Sequence, residues 1–172
     1  MSSKILITGA EGQLGRVLQL RLGECFEIIP TAKSPTKMAI KNRNVRQMDI
    51  TDFNSVADCI SVEAPDIIIN CVGITTRRIN NDNISNLEFV NSRLPHLLNE
   101  WTEENSKRLI HFSTDCVYSG KNGNYRESDN PDAKDIYGKT KAIGEINNSN
   151  ALTIRASLIG REVFNHTELF EW

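Results

Sequence analysis

The chain has 172 residues, with 20 Lys and Arg against 22 Asp and Glu for a formal net charge of −2, and 39% of it is hydrophobic. That length suits one domain able to bury roughly 70% of its unfolded surface. The composition excludes disorder, and the balanced charge excludes nucleic-acid binding driven by phosphate neutralisation.

Lys4 to Thr8 reads as a short β-rich run leading into Gly9-Ala-Glu-Gly12-Gln-Leu-Gly15. Leu14, Val17, Leu18 and Leu22 then recur at helical spacing, with Gly23 placed to end the helix. Phe26 to Thr31 is a second strand, followed by a polar, basic loop with Lys33, Pro35 and Lys37. Val45 to Met48 is a third strand, and Phe53, Val56, Ala57 and Ile60 form the next helical stripe, stopped near Pro65. Asp66 to Val72 is apolar without alternation, the pattern of a strand buried on both faces. A polar loop over 73–83 carries Arg77 and Arg78. Ile84, Leu87, Asn91, Leu94, Leu98 and Trp101 then fall on one helical face, with a kink expected at Pro95; Phe89 and Trp101 are expected in the core. Arg108 to Phe112 is a fifth strand and is followed by a loop with Gly120 and Gly123. A helix from about Ile136 to Asn147 and a sixth strand from Leu152 to Ala156 complete the pattern. Six strands separated by helix-length connections predict an α/β fold with a doubly wound parallel sheet.

Only three consecutive apolar residues precede Thr8-Gly9, and no apolar run approaches the ~18 residues of a membrane span. The four cysteines form no CxxC pair. A reduced, cytoplasmic protein without a membrane partner is therefore expected.

The spacing Gly9-x-x-Gly12-x-x-Gly15 between a strand and a helix lets the backbone turn tightly and approach a pyrophosphate. The anion would sit on the helix N-terminus, where free N–H groups and the dipole favour it. Absence of Gly-Lys-Ser/Thr excludes the Walker nucleotide loop. Tyr137-Gly-Lys-Thr-Lys141 puts a phenol and an ammonium four residues apart on one helical face. The ammonium favours the phenolate; lowering the phenol by about three pH units corresponds to roughly 4 kcal/mol. Ser113 and Thr114 close the fifth strand at its carboxyl end, where open α/β sheets bind ligands, so their hydroxyls are placed to reach a substrate oxygen. At the end of the second strand, where an acid would bind the ribose of NAD, stand Lys33, Ser34 and Lys37. NADP is expected, the lysines and Ser34 meeting its 2′-phosphate; the alternative is a pair of solvated lysines, with NAD as the cofactor. Arg77 and Arg78 either bind a substrate diphosphate or belong to a solvated loop. His96, His111 and His166 have no ligand spacing, so no metal site is expected.

Together ITGAEGQLG, FSTDCVYSGKNGNYRESD, YGKTKAIGE and RASLIG resemble the extended short-chain dehydrogenase/reductase superfamily, and within it the dTDP-4-dehydrorhamnose reductase group, from about Lys4 to Gly160. The resemblance implies a Rossmann-type cofactor domain over 1–160, with 161–172 the start of a largely absent substrate lobe. It makes Tyr137 the catalytic acid/base, Lys141 the group that lowers its pKa and holds the nicotinamide ribose, and Thr114 the hydroxyl on the substrate carbonyl, with Ser113 beside it. Cofactor contacts fall to Gly9, Gly12, Gln13, Leu14 and Gly15, to Lys33 and Ser34, to Asp49 and Ile50 near the adenine, to Cys71, Val72 and Gly73, and to Tyr137 and Lys141 themselves. Asn91 matches an asparagine near the active site, or is a satisfied buried amide. Thr114-Asp115-Cys116 lacks the glutamate with which nucleotide-sugar 4,6-dehydratases eliminate water, whereas Gly120-x-x-Gly123-x-Tyr125-x-Glu127-x-Asp129 resembles the reductase branch. The implied activity is NAD(P)-dependent reduction of the 4-keto group of a nucleotide-activated deoxysugar. The alternatives are a nucleotide-sugar epimerase and a non-catalytic NADP-binding regulatory subunit, and a homodimer is an open expectation. Family members are much longer, so the chain is expected to be the N-terminal part of a longer protein.

Overall fold

The computed structural model describes residues 2–35, 44–75 and 84–159. Six strands form one all-parallel sheet: β1 (Lys4–Thr8), β2 (Glu27–Ala32), β3 (Arg46–Gln47), β4 (Ile67–Asn70), β5 (Arg108–Ser113) and β6 (Ala151–Arg155). Their spatial order is β3-β2-β1-β4-β5-β6, the doubly wound arrangement whose order reverses between β1 and β4. The helices are α1 (Gln13–Leu22), α2 (Phe53–Glu63), α3 (Ile84–Glu88), α4 (Leu94–Glu104) and α5 (Ile136–Ile143). Among the described residues no helix is long and apolar enough to cross a membrane.

Parallel crossovers cover both faces of the sheet, so the central strands are apolar throughout. Leu6, Ile68 and Leu109 pack with Val56 and Ile60 of α2 and Leu94 and Leu98 of α4. On the other face Ile5, Ile7 and Ile69 meet Leu18 and Leu22 of α1. Phe89 and Trp101 pack against the first cluster from partly buried positions.

The structure departs from the expected elements in four places. In α1, Val17 is 51% exposed while Gln19 is buried, because its Nε2 donates to the Ala10 carbonyl at 2.5 Å and satisfies a buried polar group. The third strand shrinks to Arg46–Gln47, at an edge with one neighbour. The helix expected from Ile136 to Asn147 stops at Ile143, capped by Gly144, whose N–H returns to the Thr140 and Lys141 carbonyls. Instead of one helix kinked at Pro95, α3 and α4 are joined by a π-helical turn over Phe89–Arg93, in which the Leu94 N–H reaches the Phe89 carbonyl. Pro95 has no N–H to offer the Asn91 carbonyl four residues back, and the irregular turn lies just before it. Asn91 is thereby held inside that turn.

Candidate active site

β1 enters the glycine turn with Gly9 at φ +64, a left-handed conformation that costs other L-residues about 1–2 kcal/mol. A Cβ there would also lie 2.6 Å from Val72 Cγ1. The Gly12 N–H closes back on the Gly9 carbonyl at 2.9 Å. A Cβ on Gly15 would meet that same carbonyl oxygen at 2.4 Å, so α1 starts in contact with the turn's own backbone. Gly12 caps α1 without a side-chain hydrogen bond, and the first turn holds no acid. Backbone donors and the positive end of the helix dipole are left for an anion, which is the fit a pyrophosphate requires.

Three buried side chains tie the strand ends across the point where the order reverses. Thr8 donates to Asn70 Oδ1 (2.8 Å) and accepts from the Cys71 N–H (3.1 Å). Asn70 Oδ1 also accepts from the Val72 N–H (3.3 Å), and its Nδ2 donates to His111 Nδ1 (3.1 Å). The neutral ring then carries its proton on Nε2, which is buried without a hydrogen-bond partner among the described residues. Burial first, then the charges of Lys141 and His96, push the His111 pKa down to about 3. An unfolded histidine protonates near its ordinary 6.5 while the folded one resists to about 3, so stability is lost as pH falls below 6.5. From about pH 7 to about pH 4.5 this group should remove roughly 2–3 kcal/mol. Urea unfolding at both pH values should show a flatter profile for His111→Gln than for the wild type; equal slopes would contradict the assignment.

Thr114 follows β5 and caps the short 3₁₀ turn Asp115–Val117, its Oγ1 accepting from the Cys116 N–H at 3.2 Å. It is buried and borders the cleft described below. Ser113, expected beside it, also lines the cleft, and its hydroxyl donates to Glu145 Oε1 at 2.7 Å. α5 begins at Ile136 because Asp135 accepts the Gly138 N–H at 2.9 Å, which places Tyr137 in the first turn. One turn on, Lys141 is 3% exposed and donates to the Phe112 carbonyl at 2.7 Å. Burial pushes its pKa down to about 8, against the opposing pull of the Glu145 carboxylate.

Asn91 is a satisfied buried amide with a definite task. Its Oδ1 accepts from the Ile74 N–H (2.9 Å) and its Nδ2 donates to the Ile74 carbonyl (3.0 Å), pinning the segment after β4. Gly73 is held in that segment beside the lysine; a Cβ there would lie 3.5 Å from Asn91 Oδ1 and 3.8 Å from Lys141 Nζ.

A cleft of about 250 Å³ opens at the carboxyl ends of the strands. Gly12, Gln13, Leu14 and Gly15 line it from the turn, Cys71, Val72 and Gly73 from the end of β4, and Thr114, Tyr137 and Lys141 from the far side. Gly9 shapes the turn without lining the cleft. Lys33, Ser34, Asp49 and Ile50 do not line it either. Lys33 Nζ pairs with Asp49 Oδ2 at 2.8 Å. Partial burial of Asp49 raises its pKa, but Lys33 and the Thr51 hydroxyl and N–H outweigh this and hold it below the usual carboxylate value. Ile50 packs against the core instead. Sequence reasoning gave no role to Thr75, Phe112, Ala156, Ser157 and Leu158, which also line the cleft. The signal for the last three was their place just beyond β6, since such crevices lie outside the carboxyl ends of strands. Lys37, Arg77, Arg78, His166 and the 161–172 segment lie outside the described residues.

The family described as RmlD substrate binding domain matches over residues 3–163. A dTDP-4-dehydrorhamnose reductase of Aggregatibacter actinomycetemcomitans is 33% identical over 146 residues, covering 83% of this chain and 46% of that protein. Among solved structures, a hypothetical dTDP-4-dehydrorhamnose reductase from Sulfolobus tokodaii superposes with a TM-score of 0.75 at 31% identity, over 88% of this chain and 55% of that one. The dTDP-4-dehydrorhamnose reductase of Bacillus anthracis, solved in complex with NADP, gives 0.68 at 29% identity over 84% of this chain and 48% of that one. The chain spans about half the length of the curated relatives it matches. With the glycine turn, the strand order and the matched span in agreement, the chain belongs to the RmlD family of extended short-chain dehydrogenase/reductases.

Proposed function

We propose that this chain is the cofactor-binding and proton-transferring part of an NADP-dependent reductase acting on the 4-keto group of a nucleotide-activated deoxysugar. The observation that carries the reading is a single cleft with an anion-receptive glycine turn on one side and Thr114, Tyr137 and Lys141 on the other. The reductases among its relatives, one of them solved with NADP, support the substrate class and the cofactor. Four free thiols agree with a reducing cytoplasm.

When bound, the nicotinamide supplies the hydride. Tyr137 gives the proton to the carbonyl oxygen, and the Thr114 hydroxyl orients that oxygen. Lys141, anchored on the Phe112 carbonyl, presents the positive charge that favours the resulting phenolate. Residues 12–15 and 71–73 hold the cofactor, within a cofactor domain of residues 1–160. Lys33 and Ser34 meet the 2′-phosphate, for which Lys33 must exchange its Asp49 partner.

Fluorescence titration with NADPH and NADH, followed by NADPH consumption on a dTDP-4-keto-6-deoxyhexose, tests the reading. Failure to bind either dinucleotide would overturn it. Lys33→Ala should weaken NADPH about fivefold and leave NADH unchanged, as expected for one exposed charge contact of about 1 kcal/mol. Unchanged NADPH affinity would remove Lys33 from the cofactor site.

A further inference from the structure

The end of β5 is gripped twice, once from α5 and once from the residue just past the Gly144 cap of that helix. Lys141 Nζ holds the Phe112 carbonyl at 2.7 Å, and Glu145 Oε1 accepts from the Ser113 hydroxyl at 2.7 Å. Lys141 lies in the last turn of α5 and Glu145 just beyond its cap, and the two grips act on successive strand residues immediately before Thr114. Glu145 also forms a bidentate pair with Arg155 of β6, Nε to Oε1 at 2.8 Å and Nη2 to Oε2 at 2.7 Å, with side chains only 13% and 21% exposed. Arg155 continues into the loop after β5. Its Nη1 donates to the Tyr118 hydroxyl and to the Glu127 carbonyl (3.2 Å), and its guanidinium lies 5.0 Å from the centre of the Tyr118 ring. Tyr118 stacks on Tyr125 with centroids 4.4 Å apart and donates its hydroxyl to the Arg126 carbonyl at 2.7 Å. One carboxylate, just past the end of α5, thus joins that helix to β5, β6 and the 115–132 loop.

We propose that Glu145 is a positioning residue: it locks the strand end that presents Thr114 against the helix that presents Tyr137, and through Arg155 it sets the loop bordering the cleft at Asp115 and Cys116. The roles of Thr114 and Tyr137 rest on the functional reading above; the mechanical claim does not. The site needs a carboxylate because three donors converge on it: the Ser113 hydroxyl and the Nε and Nη2 of Arg155. A glutamine offers one oxygen and turns an NH₂ towards one of those donors. Removing one partner of such a largely buried pair leaves the other charge uncompensated.

The test uses Glu145→Gln in the 172-residue chain, followed by amide hydrogen exchange and by the ¹³C-methyl resonance of Thr114. Amides of Val117, Tyr118, Asp132 and Ala133, which close the loop on itself and on Val117, should exchange about tenfold faster, the loosening expected from one lost charge-assisted hydrogen bond. The Thr114 methyl should shift, while Ile7 and Ile69 keep their rates. Glu103→Gln, on the exposed side of α4, should change none of these. An unmoved Thr114 methyl, or faster exchange spread evenly over the sheet, overturns the proposal. If Glu145→Gln does not fold, Ser113→Ala removes one hydrogen bond alone and must still shift the Thr114 methyl; no shift overturns the proposal equally. On the keto-sugar, kcat should fall about tenfold with NADPH affinity within about twofold, the signature of misplacement rather than lost binding. A matching loss of NADPH affinity speaks against positioning. A wild type that binds neither NADPH nor NADH refutes the functional reading alone, because exchange and the methyl shift still decide this one.

Discussion

Tyr137→Phe should lower turnover by about 10²–10⁴-fold, the usual contribution of a positioned general acid, and leave NADPH affinity within about twofold. Phenylalanine keeps the ring and removes only the hydroxyl that carries the transferable proton. In the proposed reading the dinucleotide is held chiefly by the turn from Gly12 to Gly15 and the segment from Cys71 to Gly73, which line the cleft apart from the phenol hydroxyl, so binding should survive. Lys141→Met should behave differently, because its ammonium is held beside Gly73 as well as on the Phe112 carbonyl, and both affinity and turnover should fall. The pH dependence follows from the same lysine. Its folded pKa is about 8 against an ordinary 10.5, so the charge that favours the phenolate is present below pH 8 and lost above it. Turnover should decline as pH rises through about 8. Stability moves in the opposite sense: between 8 and 10.5 the unfolded lysine binds the extra proton, so the penalty of burying a charge is relieved as pH rises. Fluorescence titration together with NADPH consumption separates the two variants; turnover retained in Tyr137→Phe would remove the phenol from the mechanism.

How much of this site could be read from the chain depended on how local each interaction is. Ile67, Ile68 and Ile69 run without polar alternation because helices cover both sheet faces, and that pattern is visible over four residues. The glycine turn is visible for the same reason, since Gly15 answers to the Gly9 and Ala10 backbone within six residues and Gly9 to its own positive φ, although its contact with Val72 is long-range. Gln19 escaped because periodicity counts apolar residues, and a buried amide serving the Ala10 carbonyl looks like a surface glutamine. The Lys33–Asp49 pair escaped because it joins two strand ends brought together only by the β2–β3 pairing. Ser113, Glu145, Arg155 and Tyr118 are ordinary polar residues at separations of 32, 10 and 37 along the chain. Nothing in their local spacing marks them as one network; only the pairing of β5 with β6 and the hydrogen bonds of Glu145 to both strands do.

Gly144→Ala should destabilise the fold by about 3 kcal/mol, the upper end of what overpacking usually costs. The local conformation gives no reason for this: at φ −77 and ψ −5 an alanine is comfortable, and the stiffer unfolded chain would by itself add about 0.4–1 kcal/mol of stability. The obstacle is a backbone contact. A Cβ at Gly144 would lie 2.0 Å from the Asn91 carbonyl oxygen and 3.1 Å from its carbon, with Pro95 Cγ at 3.3 Å. That carbonyl belongs to the π-helical turn, and Pro95 denies it the helical N–H partner it would otherwise have. It therefore faces the end of α5 at the one position where a missing side chain admits it. Alanine must push α5 away by about 1 Å, and α5 carries both Tyr137 and Lys141, so turnover should fall together with stability. Gly120→Ala is the informative contrast. There φ is +76 but nothing lies within 4 Å of the added carbon, so the cost should stay near 1 kcal/mol of backbone strain and leave the cleft intact. Urea unfolding of the two variants should rank them in that order, because a contact with a backbone atom cannot be relieved by a rotamer change, whereas an exposed loop can absorb its own strain.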